Sequence, residues 1–289
     1  MILALPAVAC LIVFKYIPIM GLQIAFKDFS FRAGIWDSPW VGFKHFDQMI
    51  HDVTIVPAII NTLGISFFKL IVCFPIPIIF ALLLNEVRSV RYKKVVQTVS
   101  YFPHFIAYSV VALMLSVLLS TTGPVNSGMT ALGLRENPYL FLGEPNSFWG
   151  VVVITEVWKT TGWSSIIYFA ALTSISPELY EAATVDGAGR FRKMINITLP
   201  GIKPTIVMLL ILNTGKLVNG ANFDLSYLLG NPLNIIRSEI LPTYVLRTGI
   251  GYGRFSYAAA VGFVQAFVSL VLVFSANTVA KWVSGEGLF

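Results

Sequence analysis

Charge is scarce in this chain: Asp, Glu, Lys and Arg make up 12% of its 289 residues, about half the share usual in a soluble domain. Cysteine is nearly absent. The two present, Cys10 and Cys73, both lie inside apolar runs, which excludes a disulfide scaffold and a cysteine-based metal cluster. The three histidines, His45, His51 and His104, are too scattered to predict a shared metal ion, and ordinary structural roles are assigned to them. The sequence also has no Gly-x-x-x-x-Gly-Lys-Ser/Thr loop, His-Glu-x-x-His, nucleophile elbow or dinucleotide fingerprint. These absences exclude nucleotide binding by the chain itself and leave no catalytic residue to nominate. The first apolar run, Met1 to Phe26, lacks a basic leader and a small-residue cleavage site, so it reads as a membrane span rather than a cleaved signal.

What is there instead is apolar: 56% of residues, with a mean hydropathy of +0.77. Spanning a bilayer takes roughly 20 apolar residues, and the apolar windows predict six helices, at about 2–26, 57–84, 96–120, 148–173, 204–221 and 256–280. The expected fold class is an all-α membrane protein forming one transmembrane domain over 1–289, without an internal repeat or a separate soluble domain. The fifth window carries Asn213, Thr214, Gly215, Lys216, Asn219 and Gly220, so its second half is expected to face protein or water.

A net charge of +6 in such a chain points to anionic membrane lipid and not to nucleic acid. The short connections 85–95, 174–203 and 281–289 carry Arg88, Arg91, Lys93, Lys94, Arg190, Arg192, Lys193, Lys203 and Lys281. The longer ones, 27–56, 121–147 and 222–255, carry only Lys27, Arg32, Lys44, Arg135, Arg237, Arg247 and Arg254. The bias predicts that both termini and the segment 174–203 are cytoplasmic.

That segment holds a polar island, 181–200, between two apolar stretches. Ser176 can cap a helix with Pro177 at its first position and Glu178 in its first turn, where the helix dipole favours a carboxylate. A short helix over about 177–186 is predicted, ending at Gly187, which tolerates the left-handed conformation of a helix stop. The exposed run Glu181-Ala182-Ala183 joins a charge to small side chains that let another protein approach closely. A basic amphipathic helix, Arg190 to Ile197, follows. Its Phe191, Met194, Ile195 and Ile197 are expected to pack beneath the membrane domain, with Pro200 and Pro204 breaking it before the fifth span.

The pattern Glu181-Ala182-Ala183, three residues, Gly187, nine residues, Ile197-Thr198-Leu199-Pro200 resembles the signature loop of permease subunits in binding-protein-dependent ABC importers. Asp186-Gly187-Ala188 resembles the sugar-importer branch. Phe14-Lys15-Tyr16-Ile17-Pro18, the stretch Gly21 to Phe29, Asn61-Thr62-Leu63, the stretch Ala81 to Val87 and Tyr101-Phe102-Pro103-His104-Phe105 are similar to its polysaccharide and complex-oligosaccharide permeases. The resemblance implies the type I ABC importer permease fold, with six transmembrane helices and a cytoplasmic coupling-helix loop. It further implies a non-catalytic inner-membrane subunit working with a second homologous permease, two ATPase subunits that bind ATP and magnesium, and an extracytoplasmic solute-binding protein. Glu178, Glu181, Ala182, Ala183, Asp186, Gly187 and Ala188 would then contact the ATPase, with Glu181 paired to a basic residue there and Gly187 making the turn between coupling helices. A basic cytoplasmic stretch usual before the first span is missing from this sequence.

Candidates for an oligosaccharide path are the polar residues within the spans. Lys69 shares a helical face with Thr62 and Ser66; Glu156, Lys159, Thr160 and Trp163 recur at helical spacing; Asn213, Lys216 and Asn219 continue in the fifth window. Asn and Thr would bond sugar hydroxyls, Trp158 or Trp163 would stack on a sugar face, and the lysines would favour a uronate. Each has a structural rival: Lys15 and Lys69 can snorkel, Glu156 and Lys159 can neutralise each other, and Asn can fasten helices. Pro75 and Pro77 are expected to bend the second helix. Two other functions remain open, an importer for a non-sugar solute and an ion-coupled secondary transporter, although the latter would call for an inverted repeat. An intramembrane enzyme lacks a convergent catalytic group.

Overall fold

A computed structural model of the protein describes residues 5–218, 222–285 and 287. Among them helix is the regular structure throughout, with an isolated antiparallel bridge between Lys27 and Trp40. Helix α1 is Leu5–Phe26, and its hydrophobic window buries nothing within the chain. Helix α2 is Val53–Asn85; its 33 residues reach about 50 Å, well beyond the hydrocarbon core of a bilayer. Helices α3, Val90–Phe105, and α4, Tyr108–Leu118, form one pair; α5 is Pro145–Leu172. Two short helices, α6 (Pro177–Val185) and α7 (Arg190–Gly201), lead into α8, Lys203–Gly215. Helix α9 is Phe223–Leu229, α10 is Leu241–Leu246, and α11, Phe255–Ser284, ends the described fold.

The apolar windows find the helices but not their breaks. The window 96–120 is not one helix: α3 and α4 meet at an angle of 96°, because Ile106 (ψ 127°) and Ala107 (ψ 144°) are extended. In the fifth window α8 stops at Gly215 and Lys216 to Val218 lie in a turn. Pro200 does not break the island's second helix. The helix runs through it to Gly201, and the 58° bend into α8 falls at Ile202.

Three prolines share one physical solution. Pro18, Pro75 and Pro200 each follow by two residues the end of a π-turn, at Ile12–Tyr16, Lys69–Cys73 and Met194–Thr198. A proline inside an α-helix lacks its N–H and drives its ring against the carbonyl four residues back. Widening the turn by one residue moves that carbonyl aside. Hence α2 passes Pro75 and Pro77 as a single continuous span.

Three apolar clusters hold the helices. Ile65, Val111, Phe148, Val152 and Leu225 join α2, α4, α5 and α9. Ile55, Ala58, Leu241, Tyr244, Tyr257 and Val261 join α2, α10 and α11. Ile78, Ala81, Leu82, Tyr168, Leu172 and Ile202 join α2 and α5 at the end that carries 174–203. Polar staples tie the long 222–255 connection to the opposite end. Asn61 donates to the carbonyls of Ile236 (2.9 Å) and Glu239 (2.8 Å), Thr62 Oγ1 accepts from Leu241 N (2.8 Å), and Trp149 Nε1 donates to Arg237 O (3.1 Å).

At that end Asp52 gathers hydroxyls from three elements: Thr54 at 2.6 Å, Tyr257 at 2.8 Å and Tyr244 at 3.1 Å. Burial pushes its carboxyl up, but the hydrogen bonds from Thr54, Tyr257 and Tyr244 outweigh burial and hold it at about 2 against an ordinary 3.8. A carboxylate lowered on folding stabilises the fold above its unfolded pKa, near 4, and ceases to do so as pH falls through its folded pKa. Asp52→Asn should therefore destabilise the protein at neutral pH by about 1–3 kcal/mol. In thermal unfolding of detergent-solubilised protein, the gap to wild type should close between about pH 4 and pH 2.

Candidate functional site

Two places gather the polar residues singled out above. The first is the loop between α5 and α8. Ser176 Oγ accepts from Glu178 N at 3.3 Å and Pro177 opens α6. Gly187, at φ 75°, closes it: Ala188 N bonds to Ala183 O (2.8 Å) and Gly187 N to Thr184 O (3.1 Å), the paired bonds of a Schellman stop. Glu178, Glu181, Ala182, Asp186 and Gly187 are exposed, while Ala183 and Ala188 are half-buried.

The island's second helix packs less than its pattern suggests. Met194 sits against the cluster around Leu172 and Ile202, and Ile197 is half-buried, but Phe191 is 70% exposed and Ile195 44% exposed. Phe191 and Val185, the latter 89% exposed, are thus both left at the surface. Two bonds hold α6 and α7 together, between residues for which the sequence pattern predicts no such contact. The Tyr180 hydroxyl lies 3.0 Å from Thr198 Oγ1, which is itself buried, and Lys193 Nζ donates to Thr184 Oγ1 at 2.6 Å. Thr198 falls inside the Ile-Thr-Leu-Pro motif, the one cue to it in the sequence.

The second place is a cavity of about 620 Å³ between α2, α5 and α8, within the size range of ligand sites. Lys69 enters from α2, Glu156 and Trp163 from α5, Asn213 and Lys216 from α8 and the turn beyond it. Ser66, Thr160 and Ser164 add hydroxyls to the wall. Its charged lining is thus two lysines and one glutamate. Lys69 also donates to Asn222 Oδ1 across the interrupted end of α8. Asn219 lies outside the described residues. Trp158 is not in this wall.

Lys159 is a correction to the expected path. It too is absent from the cavity wall and is 3% exposed. Its ammonium donates to the carbonyls of Pro103 (3.1 Å), His104 (2.9 Å) and Ile106 where α3 ends, and of these Pro103 O also accepts from Ile106 N at 3.2 Å. Three residues on from Glu156 is a rotation of about 60° to the side of the stripe, enough to turn the side chain to the neighbouring helix. Nor do Glu156 and Lys159 pair with each other: Glu156 Oε1 accepts from Tyr108 OH at 2.7 Å, at the start of α4. Helix α3 comes close enough for this because Gly162 has no side chain, since a Cβ there would lie 2.1 Å from Ser100 O. Among the described residues no group of His, Cys, Asp and Glu is arranged to hold a metal ion.

Residues 73–285 match the family described as the binding-protein-dependent transport system inner membrane component. The chain belongs to that family. This membrane permease is 41% identical to protein LplB of Bacillus subtilis, covering 100% of this chain and 90% of that one. It is 42% identical to the polygalacturonan/rhamnogalacturonan transport system permease protein YteP of the same organism, covering 100% and 89%. A solved bacterial ABC transporter involved in the import of the acidic polysaccharide alginate contains a chain of the same fold, with a TM-score of 0.89, 38% identity and coverage of 98% and 94%. The permease is therefore all-helical, with the type I importer architecture.

The left-handed Gly187 gives a local test. Any side chain at that φ costs about 1–2 kcal/mol, so Gly187→Val in this permease should speed hydrogen exchange at the Gly187 and Ala188 amides by about fivefold to thirtyfold, with the membrane helices unchanged.

Proposed function

We propose that this permease is one membrane half of an ATP-driven importer of acidic oligosaccharides, and that cargo passes through the cavity between α2, α5 and α8. The observation that carries this reading is the cavity's lining of Lys69 and Lys216 against the single Glu156. In a site partly shielded from water an excess of cationic side chains attracts carboxylates, and Trp163 and Asn213 offer the stacking face and amide suited to sugars. Relatives named for polygalacturonan and rhamnogalacturonan, and a structural neighbour involved in alginate import, support it. So does a related structure in complex with an alginate pentasaccharide-bound periplasmic protein, with a TM-score of 0.89 and 37% identity.

The chain crosses the inner membrane six times with both termini cytoplasmic, beside a second homologous permease. The 222–255 connection, with 121–147, receives the solute-binding protein. Residues 177–200 dock on the ATPase pair, which binds ATP and magnesium, and there Glu181 meets a basic residue while the small faces of Ala182 and Ala183 allow close approach. Closure of the ATPases moves the loop, and the loop moves α5 and α8, exposing the cavity to alternate sides of the membrane.

With the importer assembled in proteoliposomes with its solute-binding protein, oligogalacturonate or oligoalginate should be taken up in preference to neutral oligosaccharides of the same length. Lys216→Gln should reduce that preference about threefold to tenfold, the worth of one partly shielded charge contact. Equal uptake of neutral cargo by wild type would overturn the acidic reading. Glu181→Lys should leave membrane insertion intact while uptake falls at least about tenfold, or the ATPase fails to copurify. Unchanged uptake and copurification would remove the coupling role.

A further inference from the structure

The unbroken helix α5 meets the α3–α4 break with three residues spaced along one side. Glu156 accepts from Tyr108 at the start of α4, and Lys159 gathers the carbonyls of Pro103, His104 and Ile106 at the end of α3. The Lys159 ammonium also lies 4.6 Å from the centre of the Tyr108 ring. One turn further along α5, Trp163 receives the ring of His104, parallel to it (0°) at a centroid separation of 4.5 Å. Phe105 meets the indole edge-on at 5.5 Å. One face of the indole is thus covered, yet Trp163 remains 43% exposed and belongs to the cavity wall. The residue that covers it, His104, is held through its own backbone carbonyl by Lys159.

A lone tryptophan at a cavity edge turns about two side-chain torsions and offers cargo no fixed plane. Parallel stacking on a second ring removes most of that freedom, and carbohydrate recognition by an aromatic face depends on a plane held in place. We propose that His104 and Lys159 are positioning residues of the cargo cavity: Lys159 fixes the bend, the bend fixes His104, and His104 holds Trp163 as a one-faced platform on which a sugar ring stacks. The proposal rests on the reading of the cavity as the path. It assigns a transport role to a histidine that shows no metal-ligand spacing and to a lysine that does not reach the cavity.

The test begins without cargo. The full-length permease, assembled with its partners in nanodiscs and labelled with 5-fluorotryptophan, should give a fluorine resonance for Trp163, assigned by its loss in Trp163→Phe. His104→Ala should shift and average that resonance, while His104→Phe, which keeps a flat ring, should leave it near its wild-type position. Lys159→Met should reproduce the effect of His104→Ala, and Lys159→Arg should lessen it. If the lysine variants fail to fold, the histidine pair decides alone. In uptake of oligogalacturonate or oligoalginate, His104→Ala should raise KM about threefold to tenfold, the range for losing one aromatic pair. Vmax should stay within about twofold, and His104→Phe should restore KM. Trp163→Ala leaving KM unchanged would overturn the cavity reading and the proposal with it. Trp163→Ala raising KM while His104→Ala matches wild type in both resonance and KM would overturn the proposal alone.

Discussion

Backbone satisfied by a side chain where no helix can satisfy it is the constraint on which this permease turns. In hydrocarbon an open carbonyl costs several kcal/mol, and the right-angled break between α3 and α4 leaves those of His104 and Ile106 without a backbone donor, while Pro103 O accepts from Ile106 N at 3.2 Å. One ammonium from α5 takes both and adds a second donor to Pro103 O. The bend is therefore no more stable than the register of α5 that delivers Lys159. Because Gly162 lets α3 lie directly on α5, bend, lysine and helix contact form a single unit.

The same helix joins the loop and the cavity. From Lys159 to Leu172, where α5 ends, the rod covers about 20 Å without interruption, and Leu172 belongs to the apolar cluster that also receives Ile202 and Met194. Helices α3 and α8 reach the cavity region from the same end and are interrupted there, while α5 passes straight through. A push on the 174–203 loop therefore has one stiff route upward, along α5, and two jointed ones. The cavity lies where stiff and jointed elements meet, a setting that lets a wall rearrange while one side of it stays fixed.

How far the sequence reveals this depends on the distance over which each cause acts. The caps at Ser176 and Gly187 rest on chemistry within a few residues and can be read directly. So can the apolar spans, whose length the bilayer dictates. The bend at Ile106–Ala107 carries no glycine and sits inside an apolar window, and its stabilising partner is more than fifty residues away, so local pattern gives no sign of it. Pro200 misleads for a subtler reason: proline breaks a regular α-helix, but a π-turn at Met194–Thr198 removes the clash that does the breaking. Glu156 and Lys159 share a stripe by counting, and a rotation of about 60° sends one to the cavity wall and the other to a neighbouring helix. Lys69, Asn213 and Lys216 do line the cavity: Lys69 is a lone charge in an apolar stretch, and Asn213 and Lys216 belong to the polar second half of the fifth window, so in each case the cost of facing lipid is legible in the sequence.

The buried pair on α5 also bears on how the protein is made. Each charged residue near the centre of a segment leaving the translocon costs about 2.5–3.5 kcal/mol, and α5 is not among the helices apolar enough, by length and composition, to cross a membrane by themselves. Its two charges find their partners on α3 and α4, which leave the ribosome earlier. Insertion of α5 is thus a cooperative event that depends on helices already in the bilayer. A fault in α3 would surface first as a topology error, with α5 stranded outside the membrane, before any loss of transport could be measured.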